Sequence, residues 1–150
     1  MMLTSEVKKY VDQSVLCWLA TAAMDHMPNV SPKEVFTFFD DQYLIIANIA
    51  SPKSVKNIQA NPKVCVSFID ILVQKGFQLK GAATIASKKD SGYSEMEAKL
   101  LEITQGNYPF STITKIKVEE VRPIIAPKYH LYPDTTESQQ IESAKKTYGF

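Results

Sequence analysis

The segment 51–57, with the sequence SPKSVKN, combines residue types that suit the binding of a phosphate group. Ser51 is a good helix N-cap, so the segment predicts the start of a helix. The N-terminus of a helix carries partial positive charge, which disfavours Lys53 and Lys56 in the opening turns by about 0.3–1 kcal/mol each. An anion on the free N–H groups would reverse this effect, and the hydroxyls of Ser51 and Ser54 would complete a phosphate cradle. The alternative is that both lysines extend into water from a surface helix.

A second unusual segment is 30–36, where the alternation of apolar and polar residues fails inside an otherwise regular strand pattern. The interruption consists of Ser31, Pro32, Lys33 and Glu34. A proline within a strand indicates a bulge or an edge strand, and polar residues at such a break often line a site. The alternative is an exposed edge strand that its charges protect.

Short strands surround these two segments. Residue types that favour strands cluster in six stretches, which we predict to be the strands 15–21, 29–39, 43–49, 64–69, 77–86 and 113–121. Helical spacing predicts helices at 3–11, 51–61, 95–103 and 137–148, the third of which should bury Met96, Leu100 and Ile103. The links between the early strands are too short for parallel neighbours. A small antiparallel barrel with short helices around it, in a single domain over 1–150, is therefore predicted.

The composition excludes several classes of function. With 45% hydrophobic and 22% charged residues the chain is an ordinary globular protein, and its formal net charge of +1 gives no electrostatic footprint for nucleic acid. The first residues lack the apolar core of a signal peptide, and no uncharged apolar run approaches membrane-spanning length. Cys17 and Cys65 lie in apolar runs, and no Cys/His cluster suggests a metal. We expect a cytoplasmic protein without a metal, a membrane or a nucleic acid as partner.

Some conspicuous residues have a structural interpretation that is simpler than a chemical one. Trp18 is expected to be a buried aromatic residue of the barrel rather than a stacking partner for a ligand. Gly81 is expected to allow a bend or a close approach of two backbones within a strand. His26 and His130 are expected in exposed loops.

Five short motifs follow one another along the chain: WLAT at 18–21, PNVSPK at 28–33, SPKSVKNI at 51–58, NPKV at 61–64 and LKGAA at 79–83. In this order and spacing they resemble the pyridoxamine 5′-phosphate oxidase-like family of FMN-binding split barrels. The resemblance spans roughly residues 7–125, and the tail 127–149 is similar to that of small single-domain members. It implies a mainly β (α+β) fold, a six-stranded antiparallel split β-barrel with short peripheral helices, that binds FMN and forms a homodimer with two flavins at the subunit interface.

The resemblance also implies a set of cofactor-binding residues, although it implies no catalytic residue. One strand would run along the flavin and contribute Ser31, Pro32, Lys33, Glu34 and Val35. The helix start would hold the phosphate through Ser51, Lys53, Ser54 and Asn57. Residues near Phe77 and Leu79 would close the site of the partner chain.

One departure from the family pattern bears on the substrate. Pyridoxamine phosphate oxidases proper carry an arginine-rich C-terminal segment that grips the substrate phosphate. This chain has a single arginine, Arg122. Vitamin B6 is therefore not the predicted substrate.

The leading hypothesis for function is an FMN-dependent oxidoreductase in which the flavin carries the hydride or the electrons. Lys33 near the pyrimidine edge would stabilise negative charge on the reduced ring. The sequence leaves open a non-enzymatic electron carrier or flavin sensor, a different cofactor such as a deazaflavin or haem, and a barrel that has lost its cofactor and serves as an interaction module.

Overall fold

A single antiparallel sheet, curled into a half-barrel, organises residues 2–150, which are the residues that the computed structural model describes. Its strands are β1 (Cys17–Ala22), β2 (Pro28–Lys33), β3 (Phe36–Phe39), β4 (Tyr43–Ala47), β5 (Lys63–Asp70), β6 (Lys75–Ser87) and β7 (Thr112–Ile125). The helices are α1 (Ser5–Gln13), α2 (Pro52–Ala60), α3 (Tyr93–Thr104), α4 (Pro127–Leu131) and α5 (Glu137–Tyr148). The predicted fold class, an α+β protein built mainly from strands, is confirmed.

The order of the strands, β2-β1-β5-β6-β7-β4-β3, places two consecutive strands at opposite edges of the sheet. Only Glu34 and Val35 separate β2 from β3, so the two edges come close together at this point and the barrel is split there. The prediction of one strand over 29–39, and hence of six strands, is wrong. The first part of this stretch pairs with β1 and the second with β4, because the chain crosses from one edge to the other.

Two hydrophobic clusters fill the fold. The larger one occupies the inside of the curled sheet and is closed at one end by α1, where Tyr10 packs edge-on against Phe77. The smaller one lies between α3 and the strands β4 and β7. Met96 and Leu100 of α3 are buried as predicted, whereas Ile103 is exposed and Thr104 takes its place on the buried side.

The outer face of the sheet is largely uncovered near β1 and β2. Because side chains alternate along β1, Cys17, Leu19 and Thr21 point inward, and Trp18 points outward with 47% of its surface exposed. The prediction that Trp18 is buried is therefore wrong. Because residues 15–20 are all apolar, the sequence does not show which of these side chains point inward and which point outward.

The helices of this protein are short. The longest helices in the described part of the chain, α3 and α5, have 12 residues each. Within residues 2–150, none of them has the length and the apolarity needed to cross a membrane.

Gly81 lies where the register between β6 and β7 shifts by a bulge. A Cβ atom at this position would come within 2.0 Å of the carbonyl oxygen of Lys117. The predicted close approach of two backbones at Gly81 is confirmed, and it fixes the curvature of the two longest strands.

Replacement of Gly81 by alanine should therefore force β6 and β7 apart. We expect G81A to lower the free energy of unfolding by about 1–3 kcal/mol, the usual cost of overpacking. Lys80→Ala, an exposed neighbour on the same strand, should change it by less than about 0.5 kcal/mol. Urea unfolding followed by circular dichroism measures both, and equal stability of G81A and the wild type would contradict the tight approach.

Candidate cofactor site

The N-terminus of α2 lies against β2, so the two unusual segments of the sequence meet in space. Ser51 occupies the N-cap position of α2 as predicted, but its hydroxyl makes no capping hydrogen bond. Instead it donates to the carbonyl oxygen of Ile49 at 3.0 Å and accepts a hydrogen bond from the ammonium group of Lys33. The N–H groups at the start of α2 are therefore left without a side-chain cap.

Two further hydroxyl groups extend this contact. The hydroxyl oxygens of Ser31 on β2 and Ser54 on α2 are hydrogen-bonded at 3.2 Å. Ser54 is buried although it lies in the first turn of the helix. Together with Ser51 and Lys33, these residues form what we call the hydroxyl cluster: three hydroxyl groups and one ammonium group beside a helix N-terminus.

Lys33 is the unusual member of the hydroxyl cluster because only 8% of its surface is exposed. The alternation that seems to fail in the sequence in fact continues through this segment, with Pro32 exposed, Lys33 buried, Glu34 exposed and Val35 buried. A lysine thus occupies a position where a strand of this kind normally carries an apolar residue.

Among residues 2–150 no carboxylate forms an ion pair with Lys33. Burial lowers the pKa of the Lys33 ammonium group. Burial also raises the pKa of Cys17 to about 12, so this thiol is neutral near pH 7 and supplies no negative charge. A buried cation without a partner is costly, and an external anion would relieve that cost.

A cavity of about 260 Å³ adjoins the hydroxyl cluster. It shares Lys33 with that cluster, and its lining is Pro32, Lys33, Glu34, Val35, Ala47, Ile49 and Tyr108. The structure thus brings the predicted strand 31–35 together with the helix start 51–54. The pairing of an apolar cavity with a cationic, hydroxyl-rich rim suits a flat ring that carries a phosphate.

Three lining residues of the cavity are absent from the sequence prediction. Ala47 and Ile49 lie just before Ser51 in the chain, so their nearness to the helix start is a signal that could have indicated them. Tyr108 lies on the connection between α3 and β7, and no pattern in the sequence links it to either segment.

Lys53 and Asn57 differ in their placement although both are predicted to hold a phosphate. Lys53 is exposed in the first turn of α2, close to the hydroxyl cluster in sequence. Asn57 is buried, and its amide donates to the hydroxyl of Thr21 on β1 at 3.0 Å. The structure therefore gives Asn57 an anchoring contact between α2 and the sheet.

Asn48 anchors the loop between β4 and α2 to the sheet. Its amide donates to the Thr112 hydroxyl at 3.1 Å, and its carbonyl oxygen accepts from the Thr114 hydroxyl at 2.7 Å. Ala50 follows in the left-handed region with φ +50°, which turns the chain into α2. Asn48 and Asn57 together hold the start of the helix against β7 and β1, and the sequence prediction includes only the second of them.

Phe77 and Leu79 do not join the site. Both side chains point into the barrel, where Phe77 contacts Tyr10 and Phe68, and Leu79 has no exposed surface. Both side chains belong to the barrel core of this chain, and the closing of a partner's site by residues near them stays a prediction. Gln78 and Lys80 are the residues of this part of β6 that point outward.

Comparisons with known proteins identify the family and support the fold described above. The family model described as pyridoxamine 5′-phosphate oxidase matches residues 3–125. This chain belongs to the pyridoxamine 5′-phosphate oxidase family, as its motifs predict. No curated protein sequence matches it significantly.

Several solved structures have a similar fold. HupZ of Group A Streptococcus is 25% identical, with a TM-score of 0.71 over 83% of this chain and 96% of that chain. An FMN-binding protein from Syntrophomonas wolfei is 16% identical, with a TM-score of 0.66 over 78% and 82%. The haem storage protein HutZ from Vibrio cholerae is 17% identical, with a TM-score of 0.65 over 83% and 95%.

The Asn57–Thr21 contact yields a test of the anchoring role. Asn57→Ala should lower the free energy of unfolding by about 1–3 kcal/mol because it leaves a buried hydroxyl without its partner. Thr21→Val should have a similar effect, and the double variant should cost clearly less than the sum of the two. Denaturant unfolding of all four proteins measures this coupling; strict additivity would exclude the anchoring contact.

Proposed function

We propose that this protein binds FMN at the junction of β2, α2 and the adjoining cavity, and that it is an FMN-dependent oxidoreductase. The observation that carries the proposal is the buried Lys33 ammonium group, which has no anionic partner among residues 2–150 and faces the uncapped start of a helix. Membership of the family and a fold shared with an FMN-binding protein support it.

The residues present fit a phosphorylated flavin in both its parts. The phosphate would take the hydroxyl cluster, where Ser31, Ser51 and Ser54 supply hydrogen bonds and Lys33 supplies charge. Lys53, at the exposed start of α2, would add a second positive charge. The ring would lie in the cavity beside Val35 and Ile49. Bound FMN supplies hydride or electron transfer. Lys33, between the positions proposed for the phosphate and the ring, would stabilise negative charge on either of them.

The size of the cavity supports a homodimer. A volume of about 260 Å³ lies just below the roughly 300–1,000 Å³ of pockets that enclose such a ligand, so this chain would cover only part of the flavin. Pro32 lines the cavity and is also the cross-strand neighbour of Trp18 on the uncovered outer face. A second copy seated on that face would therefore reach the edge of the flavin site.

The outer face itself suits a second copy. An apolar groove of about 530 Å³ lies on it, and its lining includes Trp18, Ile71 and Ile124. The cross-strand pairs Lys80–Glu120 and Gln78–Arg122 lie on the same face, so it carries charges of both signs. Two copies of such a face can meet without net repulsion.

FMN is favoured over haem by the groups that line the cavity. Among the described residues that line it there is no His, Cys or Met, and Tyr108 is the one residue there of a type that ligates haem iron. A deazaflavin with a phosphate would use the same cation, and for this reason it belongs among the ligands to be titrated. The distinction between an enzyme and an electron carrier requires a turnover measurement.

Loss of the Lys33 charge should weaken FMN binding about 10- to 100-fold, the range for a hydrogen bond to a charged group. Lys33→Met keeps most of the side-chain volume and removes the charge. Lys53→Glu should weaken FMN binding about 2- to 5-fold and leave riboflavin binding unchanged, because riboflavin lacks the phosphate. Titration of the apoprotein, followed by flavin fluorescence, measures all these affinities.

Lys145→Glu on α5 makes the same charge change far along the chain and should bind FMN like the wild type. Absence of saturable FMN binding by the wild type would refute the proposed site, and K33M with unchanged affinity would refute the role of Lys33. Oxidation of NADH or NADPH by the FMN-loaded protein would identify an oxidoreductase, whereas its absence would favour the carrier.

Trp18→Glu should convert a dimer into monomers because it places a charge in the apolar groove. Sedimentation equilibrium of the FMN-loaded protein measures the mass. Leu131→Glu, which changes another exposed apolar residue, on α4 and outside the groove, should leave the dimer intact. A wild-type protein that is monomeric at micromolar concentration, or a dimeric W18E, would contradict this interface.

A further inference from the structure

Tyr108 is the one aromatic side chain among the described lining residues of the cavity beside Lys33. It is 58% exposed, and its hydroxyl forms no hydrogen bond to another described residue. A large apolar ring that is left in water at the rim of a cavity lacks the packing that normally holds a tyrosine in place. The exposed ring is therefore free to pack against a molecule that binds in the cavity.

The loop that carries Tyr108 is held firmly on both sides. Gln105 and Gly106 both adopt left-handed conformations, with φ of +51° and +79°, and turn the chain back from α3. The backbone N–H of Gly106 donates to the hydroxyl of buried Thr104 at 3.3 Å, and that of Asn107 donates to the Thr104 carbonyl oxygen at 3.0 Å. On the other side, Phe110 packs against the smaller hydrophobic cluster. The short segment between these anchors places Tyr108 at the cavity.

The chemistry of the cavity indicates what such a ring would contact. The remaining apolar lining, Pro32, Val35, Ala47 and Ile49, is aliphatic and has no aromatic character. A tyrosine has only two side-chain torsions to fix, so it covers a large area at a low cost in conformational entropy. Aromatic rings prefer offset-stacked or edge-to-face contact with other aromatic rings. A flat, conjugated ligand matches these properties better than an aliphatic one.

We propose that Tyr108 covers the aromatic ring of the bound cofactor by stacking on it, and that this contact makes the site selective for a planar conjugated ligand. The inference rests on the proposed flavin site and adds to it a contact on the ring, whereas Lys33 and the serine hydroxyls act on the charged part. It assigns no role to the Tyr108 hydroxyl.

FMN fluorescence provides a direct test, because a tyrosine stacked on the flavin quenches its emission. The apoproteins of the wild type, Tyr108→Phe and Tyr108→Ala are titrated with FMN. We expect strong quenching and similar affinity for the wild type and Y108F. In Y108A the bound flavin should be several-fold brighter, and the dissociation constant should rise about tenfold, as when an aromatic stacking partner is removed.

A matched control is Tyr132→Ala, since Tyr132 is similarly exposed and does not line the cavity. It should bind FMN with wild-type affinity and quenching. Circular dichroism checks that every variant is folded, as expected for changes at exposed side chains.

Each outcome of this experiment is decisive. Y108A with wild-type brightness and affinity would overturn the stacking contact while the proposed flavin site stands. Y108F that behaves like Y108A would also overturn it, because the hydroxyl rather than the ring would then carry the interaction. A wild-type protein that binds no FMN would instead overturn the proposed function and this inference with it.

Discussion

The burial of Lys33 is the constraint around which the rest of the site is arranged. An ammonium group taken out of water costs several kcal/mol unless other groups replace its hydration. Here the Ser51 hydroxyl accepts one hydrogen bond from Lys33, and the nearby Cys17 thiol is neutral. The helix start beside it contributes further positive potential. This corner of the molecule therefore holds a buried positive group that has no carboxylate ion-pair partner among residues 2–150, and perturbed charges of this kind cluster at functional sites.

The contacts of Lys33 with the start of α2 require that this helix keeps a fixed position beside β2. Two asparagines hold the helix in that position. Asn57 joins the helix to β1, and Asn48 joins the preceding loop to β7. Because β1 and β7 lie in different halves of the curled sheet, the helix start is held from two directions. The split between β2 and β3 gives access to the cavity at the same place. Rigid support on strands, with access through the split, is what a preorganised binding site needs.

Local features of the sequence predicted a large part of this structure, because they depend on neighbouring residues. Ser51 and Pro52 mark the start of α2, and Pro32 marks an edge strand, as the structure confirms. Features that depend on distant contacts escaped prediction. Glu34 and Val35 look like the middle of one strand, and only the pairing of both edges shows that the chain changes partner there. Tyr108 joins the site through the packing of α3, and the partner of Asn57 lies on another strand.

The proline content of β2 has a consequence for how this protein behaves at high concentration. The backbone nitrogens of every second residue of β2, namely Pro28, Val30 and Pro32, lie on the same side of the strand. Because proline has no N–H group to donate to the ladder, β1 pairs with the other side. On the unpaired edge of β2, Val30 is then the only one of these three positions with an N–H group. A strand from another molecule would find too few donors to extend the sheet there, so this margin resists growth into fibrillar aggregates.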